Sequence, residues 1–241
     1  TVLKMAPRIL GRNVSAEVAE VVASEHKQQG VEIRCDVQLD QIQALKSGYT
    51  VKLKNGESIT GDLVVAGIGA VPEVALAEAA GLDIENGVSV NAFLQTSDPD
   101  IYAVGDCCSF PHPLYEQRRM RLEMWRCARD QAECAVQNLL GKTKEFSAVP
   151  WFWSDQFELS LQVVGLPSFA KRVIPRTRPD GVTIYFGLND QERLVSAAGV
   201  GTGNSVAKDI RLAEMLIAVQ KTMNPVELSD PNLNLKKLLK N

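Results

Sequence analysis

The residues best placed to do chemistry stand in two glycine motifs, each after an apolar run. The first is Gly67-x-Gly69-x-x-Pro72, following Leu63 to Ala66. Two glycines there allow a tight turn and a close backbone approach, as a phosphate-binding loop requires. A third glycine is missing and Pro72 cannot donate, so on its own the motif reads as a packed turn. The second is Gly105-Asp106, following Ile101 to Val104. A carboxylate just beyond a buried strand can accept hydrogen bonds from ligand hydroxyls. On its own, the plainer role of a helix or turn cap is the better reading. The five cysteines (Cys35, Cys107, Cys108, Cys127, Cys134) are odd in number and form no C-x-x-C, and only two histidines occur, His26 and His112. Neither a disulfide framework nor a metal site is suggested. Cys127 and Cys134 lie seven apart on one helix face and read as small buried hydrophobes, in keeping with a cytoplasmic protein.

Elements that would position these motifs can be read from periodicity. The spacing predicts a strand at Thr1–Leu3, a helix after Ser15 stopped by Gly30, and a strand at Val31–Ile33. Residues 41–66 read as a β-meander turning at Asn55-Gly56 and closing on Leu63–Ala66, a strand buried on both faces. A short helix, Val74–Ala80, and a brief strand, Val88–Val90, precede a turn at Thr96–Asp100 and a second buried strand, Ile101–Val104. Residues 107–119 read as a loop leading into a long helix that Gly141 stops. Short alternating strands fill 151–200, and helices at Val206–Lys221 and Leu235–Leu239 end the chain. The fold class expected is α/β with parallel sheet, followed by a separate α+β region of roughly ninety residues. A chain opening in mid-strand suggests a piece of a longer protein.

Composition removes several function classes. The 241 residues are 45% hydrophobic and 23% charged, and 26 Lys and Arg against 29 Asp and Glu leave a net charge of −3. That is the profile of a folded globular chain and a poor one for a nucleic-acid binder. No apolar run approaches bilayer length, so no membrane span is expected.

Taken together, the two motifs carry a resemblance that neither carries alone. The stretches D-L-V-V-A-G-I-G-A-V-P (62–72) and T-S-D-P-D-I-Y-A-V-G-D-C (96–107) resemble the FAD-dependent pyridine-nucleotide oxidoreductases. P-W-F-W-S-D-Q (150–156), together with Glu227-Leu228-Ser229-Asp230-Pro231 and Leu235–Leu238, is similar to the ferredoxin reductases of bacterial dioxygenase and P450 systems. The resemblance implies partial Rossmann-like NAD and FAD domains and a C-terminal domain. These would be residues 1–68, NAD(P)-binding; 69–147, a returning segment of the FAD domain; and 148–241, α+β. It implies hydride transfer from NAD(P)H to FAD, then electron transfer to a two-iron ferredoxin. Both G-x-G-x-x-G fingerprints of such enzymes would lie upstream, in a missing N-terminal half; Gly199–Gly203 is the nearest run here and its spacing is wrong.

Site residues follow from the resemblance position by position. Gly105 and Asp106 correspond to the motif that bonds the flavin ribityl chain. The helix beginning near Trp125, with Arg126 and Cys127, corresponds to the one facing the flavin pyrimidine, where its dipole would favour negative charge. Relatives tend to show Pro-Asn-Ala where this chain has Arg126-Cys127-Ala128. Arg126 either raises the flavin potential or faces solvent, and both readings stay open. Trp153 corresponds to an aromatic packed near the flavin. Lys4 stands where relatives place an acidic residue, so with Arg8 and Arg12 it favours NADPH. Arg118, Arg119, Arg121 and Arg126, with Lys171, Arg172, Arg176 and Arg178, are expected to form a basic surface for an acidic ferredoxin. Two rivals remain: a flavin enzyme of the monodehydroascorbate reductase or NADH oxidase type, and a cofactor-free binding module.

Overall fold

The computed structural model describes residues 1–239, which divide into two compact units, Thr1–Ala70 and Val71 onward. The expected boundary at 147/148 falls within the second unit.

In the first unit β1 (Val2–Leu3) leads to α1 (Ala16–Gln28) and returns in β2 (Ile33–Arg34), which pairs parallel with β1. Val18, Ala19, Val22 and Ala23 form the buried stripe of α1, at the i, i+3/i+4 spacing of an amphipathic helix. Ser15 occupies the N-cap position without making a side-chain cap bond. The meander is present as β3 (Leu39–Ala44), β4 (Tyr49–Leu53) and β5 (Ser58–Gly61), antiparallel in that order and turning at Asn55-Gly56. The buried strand expected at Leu63–Ala66 is not formed. Residues 63–70 have no ladder partner, and Leu63, Val65 and Ile68 are more than three-quarters exposed. A strand exists only through hydrogen bonds to neighbours, and no described strand flanks this run.

The second unit opens with α2 (Ala75–Ala79) and a small sheet of β6 (Val88–Ser89), β7 (Cys108–His112) and β8 (Arg118–Met120). The loop expected at 107–119 is therefore a hairpin. Cys108, Ser109, Phe110 and His112 are all buried, so the strand is covered on both faces for most of its length. The second expected strand, Ile101–Val104, reduces to a single bridge, Gln95 to Tyr102, folding back across the turn at Asp98-Pro99. The long helix is α3 (Trp125–Leu139). Then come β9 (Trp151–Gln156), β10 (Leu159–Gly165), β11 (Arg172–Thr177), β12 (Thr183–Leu188) and β13 (Leu194–Thr202), an antiparallel sheet in the order β11-β12-β13-β10-β9. Helix α4 (Ala207–Val219) lies on β10 and β13; its Ile210, Ala213, Leu216 and Ile217 bury against Ile184, Phe186 and Val164. Two glycines of 199–203 serve close packing: a Cβ on Gly199 would meet Ile184 at 2.6 Å, and one on Gly201 would meet the Ser205 hydroxyl. Helix α5 (Pro225–Ser229) and a 3-10 turn at Leu235–Leu239 follow. Mixed α/β architecture is thus present, with short parallel pairs and a dominant antiparallel sheet.

Candidate functional site

Helix α3 and the turn packed on it create the centre of the site. Met124 occupies the N-cap with extended backbone and no side chain caps the first turn. The first helical bond runs from Ala128 N–H to Met124 O, 3.0 Å. The N–H groups of Trp125, Arg126 and Cys127 thus form the positive end of a 15-residue dipole. Against this helix lies a 3-10 turn, Gly105–Cys107. Gly105 has φ +80°, a conformation that side chains other than glycine's disfavour. Its N–H donates to Gln131 Oε1 at 2.7 Å, and Arg121 donates to the Asp106 carbonyl at 3.1 Å. With its backbone so anchored, Asp106 presents its side chain in the exposed shell.

Aromatic surface stands beside the helix end. Trp125 and Trp153 meet edge to face at 6.4 Å between centroids, and Trp153 stacks on Trp151 at 5.3 Å. Trp151 and Trp153 share a face of edge strand β9 because side chains repeat every second residue. Trp125 is 67% exposed and Trp153 46%, so this is open aromatic surface of the kind that accepts a planar ligand.

Charge at the helix start is paired. Arg126 contacts Glu214 at 2.5 Å and Asp130 at 3.5 Å, and its guanidinium lies 5.5 Å from the Trp151 ring. Neither a free charge nor a solvated arginine describes it. Cys127 is 5% exposed, and burial pushes its thiol and that of Cys108 up to about 12. Such thiols are inert; Cys127 presents its backbone N–H to the helix end, not its sulfur.

Four of the expected residues belong to the first unit. Lys4 is exposed just after β1. Arg8 is committed to the fold: its guanidinium donates to Val14 O at 2.9 Å, Gly11 O at 3.1 Å and Ser15 O at 3.4 Å, so the 2′-phosphate role expected of it competes with three carbonyls. Gly67 and Gly69 lie in the irregular exposed segment, Gly69 at φ +104°. The basic docking surface is largely spent as well. Arg119 pairs with Glu85, Arg121 with Glu123, Arg172 with Glu192, and Arg178 with Asp180 and Asp209. Arg176 is buried on the carbonyls of Leu228, Pro231 and Leu233. Among the described residues no cluster of His, Cys, Asp or Glu could hold a metal ion, and no helix is long and apolar enough to cross a membrane.

Residues 1–132 match the family model for pyridine nucleotide-disulphide oxidoreductases. The chain belongs to that family. A second family model, for the reductase C-terminal domain, matches residues 151–239 of this oxidoreductase chain. It is 35% identical over 240 residues to the ferredoxin–NAD(+) reductase component of the anthranilate 1,2-dioxygenase system of Burkholderia cepacia, covering 99% of this chain and 58% of that protein. It is 34% identical to putidaredoxin reductase of Pseudomonas putida, covering 99% of this chain and 56% of that protein. The crystal structure of a ferredoxin reductase from Rhodopseudomonas palustris superposes with a TM-score of 0.91 at 32% identity, covering 99% of this chain and 58% of that one. The oxidoreductase chain therefore spans a little over half the length of the curated relatives it matches.

Three residues packed around the candidate site were not singled out from the sequence: Gln131, Glu214 and Trp151. Gln131 did leave a signal, since it falls on the apolar stripe of α3 with Cys127, Cys134 and Ala135. A polar residue on such a stripe has a specific partner or a specific task. Glu214 left the same signal, falling on the apolar stripe of α4 with Ile210, Ala213 and Ile217, but its partner Arg126 lies 88 residues away.

Proposed function

We propose that this chain is part of an FAD-dependent NAD(P)H:ferredoxin oxidoreductase, and that the α3 site holds the flavin end of FAD. The observation that carries the reading is the open tryptophan cluster beside an uncapped helix N-terminus, with Asp106 displayed on a turn locked to the same helix. The chemistry of these groups fits FAD. The helix end offers N–H donors to an electron-poor ring edge that gains negative charge on reduction. Asp106 offers an acceptor for sugar-like hydroxyls. Gln131 Nε2 is a buried donor without a described protein partner, as a site awaiting an acceptor would show.

When bound, FAD would supply both hydride and single-electron chemistry. The chain's own residues bind and orient. Asp106 accepts hydroxyl hydrogens, Trp153 and Trp125 cover an aromatic face and exclude water, and Glu214 neutralises Arg126 beside the helix end. Lys4 is assigned to the coenzyme phosphate, with Gly67 and Gly69 in the irregular segment that ends the first unit. The partner is read as a two-iron ferredoxin and the compartment as the cytoplasm. We further read the additional length of the relatives as an N-terminal half that supplies the glycine fingerprints and covers Leu63, Val65 and Ile68.

The test uses the native protein that carries this chain. It should retain FAD and pass electrons from NADH or NADPH to a two-iron ferredoxin far faster than to oxygen or monodehydroascorbate. Asp106→Ala should lower FAD retention. A native protein without flavin, or one preferring oxygen, would overturn the reading.

A further inference from the structure

We infer that Gln131 is the positioning residue that sets the Gly105–Asp106 turn against helix α3, and so fixes where the Asp106 carboxylate points. The inference rests on the flavin reading above and goes one residue beyond it. Gln131 is 1% exposed, two turns into α3. Its Oε1 accepts from Gly105 N–H at 2.7 Å and lies 3.4 Å from Cys108 Sγ. One oxygen therefore ties together the glycine before Asp106 and the residue that starts β7. The amide cannot be turned round, because Nε2 would then face the Gly105 N–H, donor against donor.

This bond decides the turn. Gly105 at φ +80° has no side chain to hold it. With Gln131 removed, this half-buried N–H would lose its partner in the protein. The cheapest relief is rotation of the peptide between Val104 and Gly105, which swings Asp106 with it. The ligand-facing residue is thus oriented by a side chain that the ligand need not touch.

Amide exchange and flavin affinity, measured separately, test this in the native protein. In Gln131→Leu, after removal of flavin, exchange across residues 103–107 should accelerate while β10 and β13 keep their protection. FAD should then bind about tenfold more weakly, the loss of one such hydrogen bond. Gln131→Glu, which keeps an oxygen at the same reach, should restore both. Should Gln131→Leu not fold, Gln131→Asn carries the same expectation, since its amide falls one methylene short of Gly105. Unchanged exchange at 103–107, or faster exchange with unchanged FAD affinity, would overturn the inference. A wild-type protein that shows the protection but binds no FAD would overturn the flavin reading, and the link from Gln131 to flavin affinity with it.

Discussion

Arg126 and Glu214, on the first turn of α3 and the middle of α4, meet at 2.5 Å across 88 residues of sequence. Glu214 gives its other oxygen to Arg211 at 2.6 Å, and Arg126 also reaches Asp130. The Glu214 side chain is only 11% exposed, so the pair is screened less than a surface bridge. It ties the start of the proposed flavin-facing helix to the helix that backs the C-terminal sheet.

Glu214→Ala should destabilise the protein by about 2 kcal/mol, because it strands a half-buried guanidinium. Arg126→Ala made in that background should cost less than in the wild type, with a coupling of about 1–2 kcal/mol. Denaturant unfolding of the two single variants and the double variant measures this. Strictly additive losses would show that the contact contributes nothing.

Acid should weaken the second unit through His112. The ring is wholly buried; its Nε2 lies 3.1 Å from Ala148 O, and Nδ1 accepts from Leu114 N–H at 3.4 Å. Burial lowers its pKa from an ordinary 6.5 to about 4. The unfolded chain therefore takes up the proton first. Stability from this group is complete above about 6.5 and declines as the pH falls towards 4, by roughly 3 kcal/mol in all. Chemical denaturation of wild type and His112→Gln between pH 7 and pH 4 should show the steeper fall in wild type. Parallel curves would remove His112 as the cause.

Gly165→Ala should be among the most damaging single changes. Gly165 ends β10 at φ +73°, and a Cβ there would meet Val195 O at 2.1 Å. The same carbonyl accepts from Tyr115 Oη at 3.0 Å and Leu166 N–H at 2.9 Å, so it cannot move aside freely. Backbone strain and overpacking together predict a loss of about 3 kcal/mol or more. A melting temperature within a few degrees of wild type, where about 1 kcal/mol is expected to register, would contradict this.

Lys4 and Arg8 should separate by phenotype although only four residues apart. Lys4→Glu in the native protein should reduce the preference for NADPH over NADH about fivefold, the worth of one exposed charge contact. Arg8→Ala should leave that ratio alone and lower the melting temperature, since it unties three backbone carbonyls from 11–15. Steady-state kinetics with both coenzymes, beside thermal unfolding, distinguishes them. A ratio that Lys4→Glu does not move would refute the coenzyme role.

What the sequence determined by itself was mostly local. Helices α1, α3 and α4, the meander and the stops at Gly30 and Gly141 follow from i, i+3/i+4 spacing, alternation and turn chemistry, which act between near neighbours. The family was legible because its motifs are contiguous runs. Tertiary structure decided the rest. Leu63–Ala66 has the composition of a buried strand, yet a strand also needs partners, and among the described residues none flank it. Cys108–His112 has the composition of a loop, yet pairs on both sides and fills a core. Of the arginines that resembled a docking surface, Arg126 and Arg176 are tied to a carboxylate and to carbonyls far off in the chain. Periodicity records which face of an element is apolar; it cannot record what the opposite side of a contact will be. That is why Asp106 and Trp153 were visible in the sequence, while the contacts by which Gln131 and Glu214 hold this site emerged only once the chain had folded.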